Sequence, residues 1–173
     1  MCSSDLQVHN SKGDTPLHQA ARKGLLEVAR KLLECGAEVD SRNDHGSTPL
    51  LLASQYGHTS VVQLLLDHNA DLDARNSYGD TPLHCAAIES QLEVARLLLE
   101  LNVKVNQLND EGSTPLHRAS ESEKEGSAVV VQFLLDHGAD AQARNLRGKT
   151  ASEIAHDLNQ PEIEQLLSKN AAE

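Results

Sequence analysis

Aromatic residues are almost missing from this sequence: one Phe, two Tyr and no Trp among 173 residues. That excludes a broad core built on large rings and leaves Leu, Ala and Val to pack thin, closely spaced layers. Basic residues are short as well, 15 Lys and Arg against 26 Asp and Glu, for a net charge of −11. A surface that tracks phosphates needs clustered cations to displace counterions, so nucleic acid is a poor partner. Cysteines are few and odd in number, Cys2, Cys35 and Cys85, without a CxxC spacing. They suggest neither a disulfide framework nor a zinc site, and fit a reducing compartment. No apolar run approaches a membrane span, and the N-terminus has no basic stretch leading into an apolar one. These absences predict a cytoplasmic or nuclear protein with no membrane partner.

Catalytic constellations are missing too. There is no H-x-x-x-H pair, phosphate-cradling glycine loop or Gly-x-Ser-x-Gly turn. Cys35 and Cys85 lie among apolar residues, where a thiol is usually inert packing. No catalytic residue, metal ligand or cofactor is therefore assigned.

What the sequence has is a period. Thr15-Pro16-Leu17-His18, Thr48-Pro49-Leu50-Leu51, Thr81-Pro82-Leu83-His84 and Thr114-Pro115-Leu116-His117 start 33 residues apart, and a degenerate copy starts at Thr150, 36 residues further on. A fixed period of this size is the signature of stacked repeats. Within each unit Thr is a good N-cap and Pro suits the first helical position, where its missing N–H costs nothing. In the first unit Leu17, Ala20 and Ala21 form the stripe of helix A, which Gly24 ends. Val28, Leu32 and Leu33 form that of helix B, closed by Gly36. Lys31 stands where the next three units have Leu64, Leu97 and Phe133, which predicts a solvent-facing N-terminal cap. Ser90 replaces the turn glycines Gly24 and Gly57, so local irregularity is expected there. The three extra residues of the fourth unit fall within Glu121 to Ser127, between its two helices.

On the Thr-Pro-Leu-His motif and its spacing the chain resembles the ankyrin-repeat family. The resemblance implies an all-α solenoid of stacked helix-turn-helix pairs with projecting β-hairpin loops. Five repeats are expected at about 10–42, 43–75, 76–108, 109–144 and 145–168, with caps at both ends, a frayed lead-in over 1–9 and a polar tail over 169–173. It also implies that His18, His84 and His117 bond to the capping Thr and the neighbouring loop as structural groups. His58, His68, His137 and His156 fall at helix ends or facing solvent. Asn106 occupies the loop position at which some family members are hydroxylated; a structural role is the stronger reading, because Asp40, Asp73 and Gln142 fill the equivalent places.

Function in such a family sits on loop tips and the exposed face of helix A. The matching positions are Asp44, His45, Ser47, Gln55, Tyr56, Ser77, Tyr78, Asp80, Ile88, Glu89, Asp110, Glu111 and Ser113. The expectation is a monomeric, non-catalytic module that binds a partner protein or peptide. The acidic residues Asp80, Glu89, Asp110 and Glu111 around Tyr78 point to a partner with a basic surface. The alternative is a scaffold segment of a larger protein, positioning a catalytic or membrane domain outside this chain.

Overall fold

A computed structural model describes Leu6 and residues 8–170. Five helix pairs follow one another: α1 (Pro16–Lys23) with α2 (Leu26–Glu34), α3 (Pro49–Gln55) with α4 (Thr59–Asp67), and α5 (Pro82–Ile88) with α6 (Leu92–Glu100). They continue with α7 (Pro115–Glu121) and α8 (Ser127–Asp136), then α9 (Ala151–Asp157) and α10 (Pro161–Asn170). The odd-numbered helices form an inner row and the even-numbered ones an outer row, each packing on its own partner and on adjacent repeats.

Each inner helix starts at its Thr. The hydroxyls of Thr15, Thr48, Thr114 and Thr150 accept the backbone N–H three residues on. A proline follows in four of the five repeats. Leu17, Leu50, Leu83 and Leu116 are fully buried between rows, and Ala20, Ala53, Ala86 and Ala119 keep the rows close. Each such leucine contributes about 1.5–3 kcal/mol.

The first repeat differs as a cap should. Lys31 is exposed where Leu64 and Phe133 are buried and Leu97 is half-buried. Val28, expected in the stripe of α2, is 47 % exposed, while its equivalents Val61 and Val94 are 1 % exposed. The reason is that no repeat precedes it in the described residues; Ala29 and Leu33 carry the burial of α2 instead.

The projecting loops contain no β-strand among the described residues. Each is a tight turn closed by an asparagine, as where Asn43 Oδ1 accepts from the N–H of His45 and Ser47. Successive tips are joined by single backbone bonds: Asp44 N–H to Lys12 O, Ser77 to His45, Asp110 to Tyr78 and Leu146 to Glu111.

Two sequence expectations change. Lys169 and Asn170, expected in the tail, continue α10, with Asn170 Nδ2 donating to Leu166 O, and the rest of the expected tail, 171–173, lies outside the described residues. The lead-in falls mostly outside the described residues. Ser90 takes the left-handed conformation at φ 58° yet the turn keeps its regular form, since Gln91 N–H bonds Ala86 O as Leu25 bonds Ala20 and His58 bonds Ala53.

Candidate functional site

Because each repeat has the same shape, four places recur on the inner face: the tip residue three before the capping Thr, and helix positions four, seven and eight after it. In the middle of the solenoid these bring His45, Gln55, Tyr56, Tyr78 and Ile88 around a hollow of about 280 Å³. Tyr56 is 45 % and Tyr78 62 % exposed, so the only two tyrosines of the chain face outward from one groove. Asp44, Ser77, Asp110 and Glu111 stand exposed on the tips, and Glu89 is half-buried at the end of α5.

Ser47, Asp80 and Ser113 are buried, contrary to the sequence reading, because all three belong to the seams between repeats. The carbonyls of Ser47 and Ser113 accept Nε2–H of His18 and His84 at 2.9 and 3.0 Å. Asp80 takes Nδ2–H of Asn109 at 2.7 Å and an Arg118 guanidinium N–H at 2.9 Å. Asp14 does the same one period earlier, with Asn43 at 2.7 Å and Arg22 at 2.9 Å. Burial pushes the Asp14 carboxyl up, but Asn43 and Arg22 more than offset it and hold it below its usual range.

The histidines are structural. Thr15, Thr81 and Thr114 each donate a backbone N–H to Nδ1 of the histidine three residues on. Nδ1 is thus the acceptor and Nε2 carries the proton toward the next repeat. His117 donates to Lys149 O at 3.0 Å. Burial lowers all three pKa values, His84 to about 4. In the second repeat Leu51 fills this place and packs on Ala74 and Cys85. Burial pushes the Cys85 thiol up, away from reactivity. Cys35, just past α2, is disulfide-bonded rather than a packed thiol. Both ends of the Asn106 amide are engaged across the seam, Nδ2 with Gly138 O and Oδ1 with Asp140 N–H.

The expected acidic patch is matched charge for charge. Asp80 pairs with Arg118 at 2.9 Å, Glu89 with Lys124 at 2.6 Å, Asp110 with Arg75 at 3.0 Å and Glu111 with Arg147 at 3.2 Å. This removes the free charge on which the expectation of a basic partner rested. Sequence reading also missed Arg22 and Arg118, which line the hollow, with Arg22 5.9 Å from the centre of the Tyr56 ring. The signal was present: Arg22 stands one period before Gln55, and Arg118 one period after Cys85.

Larger hollows of about 390 and 400 Å³ open on the outer row, between α6, α8 and α10 and between α2, α4 and α6. They are the spaces between successive outer helices and bring together no reactive group. Among the described residues no group of His, Cys, Asp and Glu could hold a metal ion, and no helix is long and apolar enough to cross a membrane.

A family model of ankyrin repeats in three copies matches residues 17–109, and a model of the single ankyrin repeat matches residues 111–146. No curated protein matches the chain.

Proposed function

The chain belongs to the ankyrin-repeat family, and from that premise we propose that it is a non-catalytic module holding a partner protein or peptide in the groove of its inner face. Ankyrin repeats are generally protein–protein interaction modules. The observation that carries the reading here is the placement of Tyr56 and Tyr78. In a chain with three aromatic rings of this kind, two are spent on one exposed groove instead of the core. Tyrosine offers large contact area at low entropic cost and is enriched where interfaces concentrate their energy. The floor beneath is fixed by seam bonds, so the groove is pre-organised and a ligand need not order it.

Affinity capture from extract of the native cell, read by mass spectrometry, tests this with wild type beside a Tyr56→Ala, Tyr78→Ala double variant. Both rings are exposed, so the variant should keep the wild-type melting curve and lose the captured proteins. The same proteins on both baits would place binding on another surface.

A further inference from the structure

Read in the register of the repeats, the groove changes character along its length. The tip position runs Lys12, His45, Tyr78, Glu111 from the first repeat to the fourth. The helix position seven after the capping Thr runs Arg22, Gln55, Ile88, Glu121. One end is cationic, the middle aromatic and apolar, and the far end acidic.

The two ends are not equally free. Glu111 is tied to Arg147, and Glu121 to Arg118 at 2.7 Å. At the first repeat Arg22 is tied to Asp14, a carboxylate whose side chain is fully buried behind it. Lys12 and Lys23, the latter equivalent to Tyr56, are exposed and make no ion pair among the described residues. Asp44, on the next tip against Lys12, likewise makes no ion pair among the described residues. One guanidinium, Arg118, answers both Asp80 and Glu121, so the far end keeps a surplus carboxylate while the two free lysines leave the first-repeat end net positive, in a protein whose net charge is −11.

We propose that the groove takes an extended peptide segment with acidic residues over the first repeat and, beside them, an apolar or aromatic residue seated among Tyr56, Tyr78 and Ile88. This rests on the groove being the binding surface and adds the chemistry and direction of its occupant. Lys12 and Lys23 attract the acidic end and set the direction, while the tyrosines and Ile88 bury the anchor. A reversed segment would bring its acidic residues to Glu111 and Glu121 and leave both lysines unanswered.

The probe is a phage-displayed library of random linear peptides selected on the whole folded chain. Enriched peptides are made with a fluorescent label, and their affinities are read by anisotropy at low and high salt. Four proteins are compared: wild type, Tyr78→Ala, a Lys12→Glu, Lys23→Glu pair, and a Lys31→Glu control on the outward side of the first repeat. Enriched peptides should pair Asp or Glu with an aromatic or aliphatic residue, and should bind more weakly as salt rises. Tyr78→Ala and the lysine pair should each weaken binding by about tenfold or more, with Lys31→Glu near wild type. Enriched Lys and Arg with retained dependence on Tyr78 would overturn this inference and leave the groove standing. Binding that ignores Tyr78 and both lysines, equal loss in the Lys31→Glu control, or no enrichment at all would overturn the inference. The first and last of these would also count against the groove.

Discussion

The seam between the second and third repeats and the seam between the third and fourth solve one packing problem with different chemistry. In the first, Leu51 packs on Ala74 and Cys85, and Gln91 Nε2 donates to Gln55 O at the end of the inner helix. A Cβ on Gly57 would lie 2.2 Å from Gln91 Oε1, so glycine there makes room for that latch as well as meeting φ 77°. His58 sits against Gly24 in the same way and bonds Arg22 O.

In the second, the insertion carries the chain away after α7, and no residue takes the latch position. Ser90 occupies the space instead, with its Oγ 3.1 Å from Ser122 Oγ, and Asp80 gathers Asn109 and Arg118. The missing glycine and the insertion are thus one compensated change: the longer loop leaves room for the Ser90 side chain. Neither needs a ligand to explain it.

Removing the charge at the centre of the polar seam should produce the largest contrast. Asp80→Ala leaves the buried Asn109 amide without its acceptor and Arg118 with Glu121 alone, and should cost about 2 kcal/mol in urea unfolding. Ser47→Ala, at the equivalent place in the apolar seam, should cost less than about 1 kcal/mol because its hydroxyl takes no part in such a network. Equal losses would erase the distinction between the two seams.

Acid should separate them next. His18, His84 and His117 have folded pKa values below the ordinary 6.5, His84 near 4, so the unfolded chain takes up protons first. Their contribution is complete above pH 6.5 and is lost as pH falls below it, for His84 down to about pH 4, at up to about 1.4 kcal/mol per unit for a single titrating group. His84→Leu, which copies Leu51 of the neighbouring seam, should flatten part of that loss. An unchanged pH profile in this variant would show that His84 does not carry it.

Exchanging the turn residues gives opposite signs. Gly57→Ser adds the left-handed penalty and displaces Gln91, for about 2 kcal/mol of destabilisation. Ser90→Gly relieves the same penalty where no latch is at stake and should stabilise by about 1 kcal/mol. Loss of stability in Ser90→Gly would mean that the Ser90–Ser122 contact outweighs the backbone strain. The smallest contrast concerns capping: Thr81→Ala should cost about 1 kcal/mol, and Thr150→Ala less, because among the described residues its repeat is packed from one side only. Urea melts of the pair check it.

Some of the site was legible before folding and some was not. Tyr56 and Tyr78 are exposed, as expected from the loop-tip and helix-A positions that the family resemblance implies. Asp80 and Ser113 were misread as exposed for the same reason, since a polar residue at a turn gives no sign that the next turn will cover it. The acidic patch failed likewise: Arg75, Lys124 and Arg147 lie 35, 35 and 36 residues from their partners Asp110, Glu89 and Glu111.

The sequence alone determined the repeat, the helix starts and the exposed first cap, because N-caps, prolines and apolar spacing act within one turn of helix. Only the tertiary structure decided which polar groups are buried, which charges are cancelled and why Ser90 is tolerated. Those outcomes depend on atoms about one period away, brought to hydrogen-bond distance by stacking, and no local pattern encodes that distance.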